Sequence, residues 1–471
     1  MRLAKTLIAC ALLAGPALAA DATGLQAADI AVAEGLRDRA LQGTQAWSVV
    51  ESLTTEVGPR LAGTEADARA VRWAQAKFLA LGFDQVRLEP VTFPVWLRHR
   101  EHAQVLAPYP QPLVVAALGG SVGTGDAPID AEVVEFATLD ALKAAPEGSL
   151  AGKIAFISNR MVRFKDGRGY GPAVGARSNG AVEAARKGAV AIVIRSIGTS
   201  SDRFAHTGTM RYVEDVPRIP AAALSNPDAD LLVHMLGRGQ PVTLRLDISA
   251  ETLGEYTSHN VIGEITGREL PDDVVTIGGH LDSWDQGTGA IDDGAGVGIT
   301  MAAGALIGAL PEAPRRTIRV IAYANEEQGL YGGKAYAEAR EAAGELDAQQ
   351  LGAESDFGAG RVYALRAGVD PAAWPVIERI GAVLAPLGVA TEREGGSPGP
   401  DVGPIVAKGA PWAQLAQDGT DYFDYHHTPN DTLDKIDPAA LDQQVAAYAV
   451  LAYLAAETEV DFGSVPVKTG P

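Results

Sequence analysis

The 471-residue chain has one cysteine, Cys10, and it lies in a segment with the form of an export leader. Arg2 and Lys5 make a short positive region, residues 7–13 an apolar one, and Ala17-Leu18-Ala19 a small-residue cleavage site. Cleavage after Ala19 leaves no thiol, which excludes disulfides, thiolate metal sites and a cysteine nucleophile. Any metal must then be held by histidine and carboxylate. Leu7-Ile8-Ala9-Cys10 also has the form of a lipid-attachment box, but the apolar stretch before Cys10 is too short to act as a signal. Positive charge is scarce: 39 Lys and Arg stand against 59 Asp and Glu, a formal net charge of −20. A nucleic-acid binder carries a basic footprint, so no nucleic acid is expected as a partner. Past the leader, no run reaches the roughly 18 to 20 consecutive apolar residues of a membrane span. The chain is expected to be exported to the periplasm or the extracellular medium, without a transmembrane anchor.

Hydrophobic residues are 47% and charged residues 21%, a globular composition. The length exceeds what one compact core usually holds. The 53 glycines are about 11% of the chain against a usual ~7%, which points to many tight strand-to-helix turns. Residues 45–93 carry a helical pattern (Ala68, Val71, Ala74, Phe78, Leu81) that leads into the strand Gln85-Val86-Arg87-Leu88. Residues 106–253 hold short strands, prolines and glycine turns, with buried strands at 152–158 and 189–194 and a helix between them at 180–187. From 256 to 462 strands alternate with long helices. The pattern predicts an α/β fold: a doubly wound, mostly parallel sheet flanked by helices, interrupted by a strand-rich inserted domain. The expected division is a leader 1–19, a sheet domain 20–105 and 254–462, an insert 106–253 and a tail 463–471. Because the insert leaves and re-enters just before the strand that carries His280, it is expected to form one wall of the cleft, with an independent module for partner binding or stability as the open alternative.

Candidate chemistry gathers in the last stretch. His280 and Asp282 stand just past the strand Val274-Val275-Thr276-Ile277, at the edge where open α/β sheets bind ligands. Asp282 is placed to hydrogen-bond the imidazole nitrogen that faces away from a metal. Asp292 and Asp293 follow at the mouth of an apolar helix; two acids there also fit an N-cap, and both readings stay open. Glu326 and Glu327 follow the buried strand 317–323, where unpaired carboxylates are costly, and suggest one metal ligand beside one general base. Asp356 follows the strand 350–353, and His426-His427 occupy a loop before the helix that begins at Pro438. The five segments fall in order at strand ends or loops.

Together these motifs resemble the dinuclear-zinc aminopeptidases of co-catalytic type, and within them the branch of the plasma glutamate carboxypeptidases. The residues that carry the resemblance are His280-Leu-Asp-Ser-Trp284, Gly289-Ala-Ile-Asp-Asp293, Asn325-Glu-Glu-Gln-Gly329, Glu354-Ser-Asp356, His426-His427 and the opening Gly58-Pro-Arg-Leu-Ala-Gly63. The region 106–253 is similar to a protease-associated domain. The resemblance implies two zinc ions: His280 and Asp356 on one, Glu327 and His427 on the other, and Asp292 bridging both. It implies that Glu326 is the general base for a water shared by the ions, with Asp282 orienting His280. A cis peptide is implied between Asp292 and Asp293. His426 stands where some relatives have a tyrosine that steadies the oxyanion; it either donates there or is a loop histidine without a catalytic part. Four positive charges against three ligand carboxylates leave a shared hydroxide to complete neutrality.

The implied activity is a metallo-exopeptidase, an aminopeptidase or dipeptidase acting on short peptides. Two other readings stay open: a glutaminyl cyclase-like zinc enzyme on a different amide, and a non-catalytic peptidase-like interaction protein. A homodimer also stays open, since close relatives are often dimers.

Overall fold

Residues 22–466 are described in the computed structural model of the chain. The expected leader with Cys10, and residues 467–471 of the expected tail, lie outside the described residues. Fourteen strands run through the described part: β1 (Gln85–Ala107), β2 (Gln111–Leu113), β3 (Val115–Ala117), β4 (Ile129–Phe136), β5 (Ile154–Ile157), β6 (Ala191–Arg195), β7 (Ala221–Leu224), β8 (Thr243–Ile265), β9 (Leu270–His280), β10 (Arg316–Tyr323), β11 (Gln349–Glu354), β12 (Val362–Gly368), β13 (Ala390–Thr391) and β14 (Trp412–Gln417). Their order across the sheet is β13-β12-β14-β11-β9-β10-β8-β4-β5-β6-β7-β3. Four neighbours, β10, β9, β11 and β14, are parallel. β8 and β12 flank them antiparallel.

A parallel strand covered on both faces reads as one apolar run, and β10 is buried at all eight positions. Its alternate residues serve two cores. Ile318, Val320 and Ala322 pack in the core that includes the helices Ala295–Gly308 and Pro438–Glu457. Ile321 and Tyr323 pack on the other face, with Tyr336 and Ala337 of the helix Tyr331–Ala343. This is the expected doubly wound arrangement. The helix Pro438–Glu457 has Pro438 in its first turn, where no amide donor is needed, and Asp437 caps it by accepting from the Ala439 amide at 3.0 Å. Among the described residues one helical stretch, Ala290–Gly308, is long and apolar enough to cross a membrane, but 89% of its most apolar window is buried inside the fold.

Residues 108–242 connect to the rest of the sheet through a two-stranded ribbon. β1 and β8, 23 residues each, pair antiparallel from Gln85–Glu264 at one end to Ala107–Thr243 at the other. The free edge of β8 meets β10 at residues 261–265 and β4 at residues 243–246. The positions 105 and 253 both fall inside this ribbon. Beyond it β4, β5, β6 and β7 run parallel, with β3 antiparallel at the edge. One face of them packs in a core around Val115, Phe156, Val193, Leu224 and Leu244 that also takes in Leu61 and Trp284, and Ile157 and Ile192 on the other face join the main core. Helices cover this part too: Tyr170–Arg186 begins ten residues ahead of the expected 180. Gly171, Gly175 and Gly180 dilute its apolar period. Gly180 is required by contact, since a Cβ there would lie 2.9 Å from Ile192 Cδ1.

Candidate metal centre

Because β9, β10, β11 and β14 run parallel, their carboxyl ends share one edge of the sheet, where an α/β fold collects its ligands. His280 is the last residue of β9. Glu326 and Glu327 follow the end of β10, Asp356 follows β11 by two residues, and His426 and His427 lie in the loop after β14. Asp292 comes from the turn Ala290–Gly294 ahead of the helix Ala295–Gly308. Its peptide bond to Asp293, where the resemblance implies a cis bond, is cis.

The Asp292 carboxylate sits between two imidazoles. Its Oδ1 is 3.0 Å from His280 Nε2 and its Oδ2 is 3.3 Å from His427 Nε2. Asp356 Oδ1 approaches His280 Nε2 to 3.7 Å, and Glu327 Oε2 approaches His427 Nε2 to 2.9 Å. His426 stacks on His427 with ring centroids 3.5 Å apart, and its Nε2 lies 3.7 Å from Asp292 Oδ2. Six of the eight side chains singled out in the sequence therefore converge. The neighbouring acid, Asp293, is spent on the backbone: Oδ2 accepts from the His280 amide and Oδ1 from the Gly296 amide, both at 3.0 Å. One of the two adjacent acids thus caps the helix and the other faces the site.

Carboxylate oxygens are left over. Asp292 Oδ2 and Glu327 Oε1 are buried without a hydrogen-bond partner. Burial pushes the carboxyls of Glu326, Glu354 and Asp293 well above their usual range, and that of Asp401 up to about 8. Burial opposes charge on His280 and His427 as well, but their carboxylate partners outweigh it. Asp282, Asp292 and Asp356 hold His280 well above its ordinary value, and Glu327 and Asp292 carry His427 up to about 9. His426 goes the other way: burial, then the neighbouring His427, push it well below, which makes it a neutral imidazole. An excess of buried carboxylates with free oxygens calls for cations. Two imidazoles in the donor set favour a transition metal over calcium or magnesium. Groups of three ligand atoms within 4.8 Å of one another form around His280 with Asp292 and Glu327, and around Asp292 with His426 and His427. The residues fit zinc.

Asp282 does more than the sequence reading gave it. The His280 ring donates through Nδ1 to the Asp282 main-chain carbonyl at 3.0 Å, while the carboxylate lies 3.6 Å away. That carboxylate instead accepts from the backbone amides of Glu326, at 3.0 Å, and Glu327, at 3.4 Å. Two further residues brace the site. Arg60 is fully buried and donates to the carbonyls of Leu281, Thr288 and Gly289 at 2.5, 2.7 and 2.8 Å. Asp431 accepts from the amides of Ile291 and Asp292 at 2.6 and 3.2 Å. Arg60 stood in the quoted motif Gly58–Gly63 and Asp431 four residues past His427, but nothing in the spacing marked them.

A cleft of ≈ 410 Å³ opens over the cluster, and Asp292, Glu326, Glu327, Asp356, His426 and His427 line it. Asp166, Tyr170, Arg177 and Thr209 of the inserted segment line it too. None of these four residues stands in a histidine and acid cluster in the sequence.

A family model described as Peptidase family M28 matches residues 260–452. Carboxypeptidase Q of Bos taurus is 35% identical over 408 residues, covering 86% of this chain and 84% of the relative. Carboxypeptidase Q of Homo sapiens is 34% identical over 407 residues, with the same two shares of 86% and 84%. Among solved structures, a Peptidase M28 precursor from Shewanella amazonensis SB2B is 55% identical with a TM-score of 0.91, covering 93% of this chain and 99% of that one. A zinc aminopeptidase from Bacillus subtilis, 20% identical over 89% of this chain and 97% of its own, has the same fold at a TM-score of 0.63. With likeness of this extent in both sequence and structure, the chain belongs to peptidase family M28 and is a metallo-exopeptidase.

Proposed function

We propose that the chain is an exported, dinuclear zinc exopeptidase that hydrolyses short peptides with free termini. The observation that carries this reading is the Asp292 carboxylate, which turns one oxygen to His280 and the other to His427. In this reading His280 and Asp356 hold one ion, Glu327 and His427 the other, and Asp292 both. Zinc bound there supplies Lewis-acid polarisation and lowers the pKa of a shared water. The protein's own part is proton handling and placement. Glu326 takes the proton from the attacking water and passes it to the leaving amine. Asp282 holds the amides of Glu326 and Glu327, so base and ligand keep their spacing. The neutral His426, which lines the cleft with Nε2 3.7 Å from Asp292 Oδ2, donates to the oxyanion.

Substrate class follows from charge. The acids of the cluster suit a free amino terminus. Arg177, beside His427, is 8% exposed, and its Nε and Nη1 have no hydrogen-bond partner; only Nη2 donates, to Tyr170 Oη. The other lining arginine, Arg366, is already paired with Glu392 at 2.6 Å. A cation left unpaired suits a free carboxylate, which favours dipeptides over long chains. The segment 106–253 is, in this reading, a protease-associated insert that walls the cleft and limits substrate length.

A panel of dipeptides, N-blocked peptides and C-amidated peptides, assayed with and without a chelator, tests the reading. Dipeptides should be turned over best, blocking either end should slow the reaction, and chelation should stop it. Equal turnover of N-blocked and free peptides would remove the requirement for a free amino terminus. Cyclisation of an amino-terminal glutamine, without peptide cleavage, would favour the glutaminyl cyclase-like reading instead.

A further inference from the structure

The two candidate ligand histidines are steadied from different parts of the molecule. A metal-bound imidazole needs a partner on its other nitrogen to fix tautomer and ring orientation. For His280 that partner is the carbonyl of Asp282, two residues along the same segment. For His427 it is the Thr207 carbonyl, which belongs to the insert and accepts from Nδ1 at 3.3 Å. The contact is reciprocal, because the Thr207 amide donates to the His427 carbonyl at 3.1 Å. Two positions on, Thr209 Oγ1 donates to the main-chain carbonyl of Glu327 at 2.7 Å. Both candidate ligands of one ion therefore rest on the same short stretch of insert.

That stretch, residues 206–210, is a strap held to the rest of the insert. Thr207 Oγ1 donates to Ala117 at the end of β3, at 2.7 Å. Gly208 accepts from the Gly119 amide, and the Met210 amide donates back to Gly119, both at 2.9 Å. His206 is 2% exposed, and its Nδ1 donates to the His426 carbonyl at 2.8 Å. Gly208 is required in the strap for two reasons. Its φ is +130°, in the region that favours glycine, and a Cβ there would lie 2.3 Å from Arg177 Nη1 and 2.8 Å from His427 Nδ1. Any side chain at 208 presses on the ring nitrogen that the strap holds.

We infer that the insert is a structural half of the metal centre: the strap 206–210 orients His427 and Glu327, so that the hold on one ion depends on the insert and the hold on the other does not. The inference rests on the dinuclear reading above. It makes the insert more than a wall of the cleft, and Thr207, Gly208 and Thr209 become positioning residues.

The test is zinc content of the full-length protein, titrated against a chelator of graded strength, with thermal unfolding to confirm the fold. Wild type should release two ions in separable steps. Thr209→Val removes the hydrogen bond to Glu327, and Gly208→Ala crowds His427 Nδ1. Each should weaken one ion by about 10- to 100-fold, the usual effect of losing a partner outside the ligand set, and leave the other unchanged. Thr209→Ser keeps the hydroxyl and should restore the lost step. Should Gly208→Ala not fold, Thr209→Val and its serine rescue decide alone. Two ions held as tightly in a folded Thr209→Val as in wild type, or both ions loosened equally, overturns the inference. Fewer than two ions in wild type overturns instead the dinuclear reading on which it rests.

Discussion

Asp282→Asn changes one atom and should slow the enzyme without unfolding it. In the native structure the carboxylate offers Oδ1 to the Glu326 amide at 3.0 Å and Oδ2 to the Glu327 amide at 3.4 Å. Asparagine keeps one acceptor and puts an NH2 group where the other was. Whichever way it turns, one backbone donor then faces a donor. A hydrogen bond to a charged group contributes about 1.5–3 kcal/mol, and a buried donor left without a partner costs about the same. The segment can relieve this only by moving Glu326 and Glu327 away from their places. If that cost falls on the transition state, where base and ligand must be aligned, each 1.36 kcal/mol is tenfold in rate, so kcat/KM should drop by about 10- to 150-fold. The assay is dipeptide turnover at saturating zinc, with zinc content measured on the same sample. Asp282→Ala, which loses both acceptors, should fall further. The His280 ring should keep its orientation in both variants, since its Nδ1 partner is the main-chain carbonyl of residue 282. Undiminished turnover in Asp282→Asn would refute the reasoning. So would loss of the ion assigned to His280 alone, because that outcome means the carboxylate acts through the imidazole and not through the two glutamates.

Three other variants separate the remaining roles. Glu326→Gln keeps the side-chain shape and should retain zinc while turnover falls by about 10²- to 10⁴-fold, the range of general-base contributions; Glu327→Gln should weaken zinc instead, and the opposite pattern would exchange their roles. His427→Ala should lose one ion preferentially by metal analysis, since Asp292 and the His280 side remain; simultaneous loss of both ions would contradict separate sites. Asp67 offers a test of stability away from the cluster. Burial raises its carboxyl from 3.8 to about 6, although Gly63 and Ser258 donate to it. An acid with a raised folded pKa favours the native state only while protonated, so this contribution is full below pH 3.8 and is lost as pH rises through about 6. The interval corresponds to about 3 kcal/mol at 1.36 kcal/mol per pH unit. Asp67→Asn should therefore flatten the fall in thermal stability between pH 4 and 7, as read from melting curves, and an unchanged slope counts against it.

The ligand-bearing segments were legible because each combines two independent signals. A β-branched run such as Thr317-Ile-Arg-Val-Ile reads as a buried strand, and acids directly after a buried strand need a reason to be there. The sheet domain followed from the same runs. The ribbon did not. Residues 249–257 of β8 are half-buried or exposed at every position, while the paired stretch of β1 buries Val91, Phe93, Val95 and Trp96. With no buried position in that stretch of β8 there is no alternation to read, and the expected boundary at 253 fell in mid-strand. The helix Tyr170–Arg186 was shortened for a related reason: it packs through glycine and alanine, so close approach rather than apolar bulk defines its inner face. The parts of the site that stayed hidden act through backbone atoms or through long-range placement. The Thr207 carbonyl could belong to any residue type, and Arg60 works by donating to three carbonyls more than 200 positions away.

Asp292 and Asp293 show where that limit falls. As text they are the same residue twice at a helix start, and the cap reading and the ligand reading apply equally to both. What separates them is which backbone donors each can reach. Asp293 meets the amides of His280 and Gly296, so its two oxygens are consumed and its job is to tie the end of β9 to the start of the helix. Asp292 has its own amide held by Asp431 and meets no free donor of the main chain, so its oxygens fall between His280 and His427. The two functions are coupled: the oxygens of Asp293 fix His280, and His280 is one of the two imidazoles that Asp292 faces. Exchanging either acid for asparagine should therefore have different signatures in one measurement. Asp292→Asn should lower zinc content while leaving no backbone donor unpaired, since its side chain faces the two imidazoles and accepts from no amide. Asp293→Asn should lower stability by about 1–3 kcal/mol, the cost of a buried donor left unpaired, and disturb the site only as far as His280 moves. Equal effects of the two variants on zinc and on melting temperature would show that the backbone accounting does not distinguish them.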